Sequence, residues 1–225
     1  MRIPAILLFI LINVTNTFAQ QQSPSERENY VKVITERAGK ITAVLGINDT
    51  NKAEKVTSII RDQYSNLNDI YAARDTKYKE IKVANKDNKI LQDTLIAQEN
   101  RKVEAALAKL HQKYLNGLAT QLNAAQIEKV KDGMTYGVVP LTYRAYQEQL
   151  LNLTAEQKKQ IYVWLTEAKE RAMDAESADK KHAWFGKYKG RINNYLSAQG
   201  YDLKKEGIEW QKRIKTAKEA NRNAN

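Results

Sequence analysis

Residues 56–95 read "VTSIIRDQYSNLNDIYAARDTKYKEIKVANKDNKILQDTL", and this stretch decides the fold class. Val56, Ile59, Ile60, Gln63, Leu67, Ile70 and Tyr71 recur at spacings of three and four, and Tyr78 and Ile81 carry the pattern on. Such a period places them on one face of a helix. After the polar patch "ANKDNK" the same period resumes through Leu91, Leu95, Val103, Leu107, Leu110, Tyr114 and Leu118. Two long periodic arms joined by a short polar turn predict an antiparallel helical hairpin, whose plainest role is that of a scaffold.

Upstream of the hairpin, Gly46 follows Leu45 as a helix stop, which predicts a first helix from about Ser25 to Leu45. Downstream, "LNAAQIEK" and "LTAEQKKQ" each set an aliphatic residue before Asn123 or Thr154 and a Gln three positions later, the pattern of a capping box. "INDTNKAEK" shares the aliphatic-then-Asn start. The expected side-chain acceptors are Asn123 and Thr154, with Gln126 and Gln157 reaching back and Leu122 stapled onto Ile127; each cap stabilises by about 1 kcal/mol. Only one run beyond Ser25 resembles a strand. The expected fold is therefore all-α: a helical bundle with a long antiparallel hairpin and a C-terminal helical part, forming a single domain over residues 20–225.

The first nineteen residues, "MRIPAILLFILINVTNTFA", combine one early arginine, an apolar run from Ile6 to Ile12 and a small-residue exit at Thr17 and Ala19. That is the layout of a secretory signal peptide. Asn13, Thr15, Asn16 and Thr17 interrupt the run too early for a membrane span, so residues 1–19 are expected to be cleaved, leaving a soluble periplasmic or secreted protein. The chain has no cysteine, hence no disulfide framework, thiol catalysis or lipid-bearing N-terminal cysteine. Its formal charge is +11, of which the signal peptide removes only Arg2. Export makes nucleic acid a poor partner for that surplus and favours carbohydrate or another anionic envelope polymer.

Two segments carry the candidate chemistry. In "KDGMTYGVVPLTYRAY" the glycines 133 and 137 and Pro140 predict an irregular loop held down by Met134, Val138, Val139 and Leu141, with Tyr136 and Tyr143 presenting hydroxyls. In "KHAWFGKYKGRINNY", residues 181–195, a helical wheel with Trp184 at 0° puts Tyr195 near 20°, Tyr188 near 40°, Ile192 near 80° and Phe185 near 100°. Lys187, Arg191 and Asn194 fall at about 280° to 340°, bordering the Trp184 and Tyr195 edge. Gly186 and Gly190 lie on the far side, where each costs about 1 kcal/mol relative to alanine and close approach of another backbone or a ligand would compensate. Aromatic faces that cover the C–H faces of a sugar ring, beside Arg, Lys and Asn donors for its hydroxyls, make this seam a candidate carbohydrate site. Its residues are Trp184, Lys187, Tyr188, Arg191, Asn194 and Tyr195, and the loop is expected to bring Tyr136 and Tyr143 to it.

Two resemblances bear on function. Leu153 to Gln157, Leu-Thr-x-x-Gln, resembles the signature of the Spy-type periplasmic chaperones, exported helical proteins that hold unfolded clients on a concave basic surface; this implies a chaperone-like or envelope-structural alternative. "LGINDTNKAEKVTSIIRDQY", "VKDGMTYGVVPLTYRAY" and "AMDAESADKKHAWFGKYKGRINNYLSAQGYDL" together resemble an uncharacterised family of exported bacterial proteins, a domain of unknown function catalogued as a sugar-binding candidate. That resemblance implies a sugar ligand and assigns no residues. Enzyme chemistry finds little support: His111 and His182 are the only histidines, no phosphate-cradling glycine loop occurs, and the sequence points to no cofactor, metal or catalytic residue. Asp132, Asp174, Glu176 and Asp179 lie near the segments of interest, where a glycosidase would need two carboxyl groups across a sugar.

Overall fold

The computed structural model describes residues 24–223, and the expected signal peptide at 1–19 lies outside them. Eight helices follow one another: α1 (Pro24–Ala43), α2 (Thr50–Ala84), α3 (Lys89–Ala119), α4 (Ala124–Met134), α5 (Val138–Gln149), α6 (Ala155–Met173), α7 (Ala178–Ala198) and α8 (Leu203–Asn223). Among the described residues there is no strand, and no helix is long and apolar enough to cross a membrane.

The periodic arms are α2 and α3. Asn88 caps α3 by accepting from the Leu91 amide at 3.0 Å, and the Gln92 side chain donates to the Asn85 carbonyl at 2.7 Å, closing the polar turn. At the start of α2 the cap is Asp49, one residue beyond the expected asparagine, accepting from Lys52 N at 2.9 Å. Both capping boxes form, at Asn123 with Gln126 and at Thr154 with Gln157. Leu122 is buried and Ile127 packs on the same core, as the staple requires.

Two hydrophobic clusters build the bundle. The first gathers Ile34, Ala38 and Ile41 of α1, Val56, Ile60 and Tyr64 of α2, Tyr114 and Leu118 of α3, and Val130 and Met134 of α4. The second gathers Tyr146 of α5, Ile161, Leu165, Ala168 and Ala172 of α6, and Phe185, Ile192 and Leu196 of α7. Full burial of each large side chain here stabilises by about 1.5–3 kcal/mol. Helix α6 serves both clusters, since Met173 belongs to the first and Ala172 to the second. Being central, α6 also buries Lys169, whose ammonium pairs with Glu128 at 2.8 Å and Asp132 at 3.0 Å on α4.

Two features differ from the sequence expectations. The segment around Gly133 to Tyr143 is not a loop but the end of α4, a short turn and the start of α5. Gly137 supplies the turn with φ 63°, and Pro140 is the third residue of α5, where an amide has no intrahelical partner to lose. Gly186 and Gly190 face open space, since a Cβ at either would meet nothing within 4 Å, so no neighbouring backbone exploits them. Gly190→Ala is accordingly expected to raise stability by about 1 kcal/mol through helix propensity alone, read as an upward shift of the melting temperature; an unchanged or lower value would mean the glycine has a structural role. At the start of α7, Lys181 is buried and donates to the Ala172 and Met173 carbonyls at 2.9 and 2.8 Å, capping the C-terminus of α6, and burial lowers its pKa to about 8.

Candidate functional site

A cleft of about 680 Å³ opens where the hairpin meets α6 and α7. The hairpin contributes Tyr71, Glu104, Leu107 and His111; α6 and its C-cap contribute Glu167, Glu170, Arg171 and Asp174; Trp184 of α7 completes the wall.

The floor is a hydrogen-bonded cluster centred on Asp174, which caps α6 where the chain turns towards α7. Its backbone carbonyl accepts from the Tyr71 hydroxyl at 2.7 Å, and its carboxylate accepts from Gln63 at 3.3 Å and faces His111 Nδ1 at 2.7 Å. His111 Nε2 lies 3.4 Å from Glu170, whose carboxylate also pairs with Lys131 at 2.8 Å. The hydrogen bonds to Asp174 and then Glu170 raise the His111 pKa to about 9 against the opposing effect of burial, so at neutral pH the ring is an imidazolium donating from both nitrogens. Burial alone would raise the Glu170 carboxyl, but bonds from His111 and Lys131 outweigh it and bring its pKa to about 2. Burial also pushes the Tyr71 hydroxyl up to about 12, so it stays protonated and donates. With both nitrogens engaged, His111 orients the floor and has no lone pair free to act as a base.

From the cleft an aromatic and cationic seam runs along the groove between α6 and α7. Trp184 is half-buried, and the exposed Lys187 holds its ammonium 5.2 Å from the centre of that ring. The Arg191 guanidinium lies 4.5 Å over Trp164 and 3.6 Å from Glu167, which like Trp184 belongs to both seam and cleft. Tyr195 meets Trp164 edge-on at 5.3 Å. These contacts have the geometry of cation–π and T-shaped pairs. Tyr188 is half-buried against the second core, and Asn194 is exposed.

Tyr136 and Tyr143 lie elsewhere. Tyr136, at φ 60° and strained for so bulky a residue, stacks on His182 at 5.7 Å, and Tyr143 packs edge-on against Tyr162 at 5.3 Å. His182 and Trp184 are two residues apart on α7, as are Tyr162 and Trp164 on α6, hence about 200° apart around each axis. The turn between α4 and α5 does reach α7, but on the flank opposite the seam.

A family model described as "Protein of unknown function (DUF3826)" matches residues 31–216. The chain belongs to the DUF3826 family. No curated protein matches it. The match spans all eight helices at least in part, so the cleft and the seam both lie inside the DUF3826 region.

Sequence reasoning gave no site role to Tyr71, His111, Glu170 or Trp164, and named Asp174 only as one of four acids near the segments of interest. Two signals for the floor exist in this DUF3826 chain: Glu170 and Asp174 stand four apart on one helix face, and His111 interrupts an otherwise apolar stripe at Leu107, Leu110 and Tyr114. Neither signal states that the two meet across 63 residues.

Proposed function

We propose that the protein binds carbohydrate, with a sugar ring resting against Trp184 in the cleft and the chain of the glycan continuing along the seam past Lys187, Arg191 and Trp164. The observation that carries this reading is the position of Trp184: a half-buried indole on the wall of a cleft whose polar lining groups are four carboxylates, a tyrosine, an arginine and an oriented imidazolium. An aromatic face with a few convergent polar groups is the composition of a small-molecule site. Glu104 and Glu167 are exposed carboxylates able to accept from sugar hydroxyls, and the excess of acids over His111 and Arg171 favours a neutral ring in the cleft itself. Within the family of unknown function, this reading supplies a ligand class.

The chaperone-like alternative calls for a continuous apolar surface. Here the exposed large apolar residues are dispersed, with Val31 and Val33 on α1, Val83 and Ile90 at the hairpin tip, Leu141 on α5 and Val163 on α6.

A glycan array probed with purified protein tests the ligand class. Against a retained glycan, Trp184→Ala is expected to weaken binding by at least about 2 kcal/mol, the scale of a central aromatic anchor. Arg191→Ala, at a side chain 56% exposed, is expected to leave the melting temperature nearly unchanged and weaken binding by about 1.5–3 kcal/mol. An array with no retained glycan, or full retention by Trp184→Ala, would sink the proposal.

A further inference from the structure

Among its described side chains helix α8 has no buried residue, yet its two sides differ sharply. On a wheel with Lys204 at 0°, Leu203, Trp210 and Ile214 fall at about 240° to 280°, and this is the side that meets the bundle. There Gln149 of α5 donates to the Leu203 carbonyl at 3.1 Å, and Arg213 donates to the Glu148 and Gln149 carbonyls at 2.8 and 3.2 Å. The opposite arc holds Arg222 at about 0°, Lys215 at about 20°, Lys212 at about 80° and Lys218 at about −40°. One acid, Glu219, interrupts it, 4.0 Å from Lys215; Lys212 pairs sideways with Glu209 at 2.8 Å. Lys204 and Lys218 have no acidic partner among the described residues.

We propose that this outward face of α8 docks a linear anionic glycan, at a site separate from the cleft. From Lys204 to Arg222 the stripe runs 18 residues, about 27 Å of helix, with a cation at nearly every turn after Lys212. Charges strung along a shallow, open groove lined by Lys204, Ile208, Lys212 and Lys215 match a polymer with repeating acid groups better than a single small anion. Ile208, half exposed in the middle of the stripe, offers an apolar contact for a ring face. A membrane surface fits less well: a helix lying in a lipid interface turns its large apolar residues towards the lipid, whereas Leu203, Trp210 and Ile214 are half-buried on the side that meets the bundle, leaving Ile208 as the one large apolar side chain exposed among the described residues of the stripe. The acid-lined cleft and the basic rail therefore divide the labour, the one for a neutral ring and the other for a charged polymer.

The test is binding of purified protein to polygalacturonate, with dextran as the neutral polymer and phosphatidylglycerol vesicles as the anionic lipid surface. The protein is expected to bind polygalacturonate and not dextran at the rail, with affinity falling as salt is raised. The variant K204E/K215E/K218E is expected to lose at least about 30-fold in affinity. A control carrying the same change in net charge at the hairpin tip, K79E/K82E/K86E, is expected to lose less than about threefold. Should reversed charges lower the melting temperature, the neutral set K204Q/K215Q/K218Q takes their place and is expected to lose about tenfold. Trp184→Ala should leave polygalacturonate binding intact, which separates this site from the cleft. Equal losses in the α8 and hairpin variants would reduce the effect to net charge and overturn the proposal. So would unchanged binding by the α8 variants, or binding to the vesicles alone.

Discussion

Replacing Gly133 with valine is expected to destabilise the protein by about 3 kcal/mol, the upper range for overpacking a core. For a chain of this length that corresponds to a fall in melting temperature of roughly 6–12 °C. Gly133 lies in the last turn of α4, where a Cβ would stand 2.9 Å from Ile41 Cγ1 and 3.1 Å from Ile41 Cγ2 on α1. Ile41 is itself buried, and the contacting atoms sit next to its backbone, so the side chain has nowhere to swing. Alanine at the same site gains helix propensity of about 1 kcal/mol but meets the same two carbons, so a smaller net loss is expected. Ile41→Ala removes both carbons. The double variant Gly133→Val/Ile41→Ala should therefore be more stable than the sum of the single losses, by at least about 1 kcal/mol of coupling. Additive losses, or a Gly133→Val protein that melts like the parent, would show that α1 and α4 do not meet this closely.

The second large effect is one of pH. The His111 pKa is raised to about 9 in the folded protein from an ordinary 6.5, so the folded state holds this proton more tightly than the unfolded chain does. The stabilisation is fully present below pH 6.5 and is lost as pH rises through 9. Lys181 acts in the opposite sense. Its folded pKa is lowered to about 8 from 10.5, so the cost of burying its charge is relieved as pH rises from 8 to 10.5. The window free of that compensation is pH 6.5 to 8, where urea unfolding should show stability falling, by about 1–2 kcal/mol of the full 2–3 kcal/mol attributable to His111. His111→Asn should be less stable than the parent at pH 6.5 and lose this slope. A parent protein with flat stability across the window would mean that the His111–Asp174–Glu170 cluster is not ionic.

How much of this the sequence reveals depends on the range of the interaction responsible. The hairpin is legible because Val56 to Tyr71 and Leu91 to Leu118 repeat at helical spacing, and the caps at Asn123 and Thr154 are legible because acceptor and donor lie three residues apart. Pro140 misleads because a proline in the first turn of a helix and a proline in a loop look the same without knowing where the helix starts. The glycines mislead for a different reason. Whether a missing side chain admits a neighbour depends on the neighbour, and that is present at Gly133 and absent at Gly186 and Gly190. The seam on α7 follows from wheel arithmetic, whereas Trp164 beneath Arg191 belongs to another helix. The cleft is least legible of all, since Tyr71, His111, Asp174 and Trp184 come from four separate stretches and only the packing of the hairpin on α6 brings them together.

Helix α6 stands as the common wall of both hydrophobic clusters, with Met173 facing one and Ala172 the other. Opening the second cluster strips α6 of the packing around Ile161, Leu165, Ala168 and Ala172, whereas opening the first frees Met173 and the Lys169 pairs to α4. The two halves thus meet at the C-terminal end of α6, where Met173, Lys169 and the Asp174 cluster reach α4 and the hairpin, and the cleft built there from both sides persists only while both are folded.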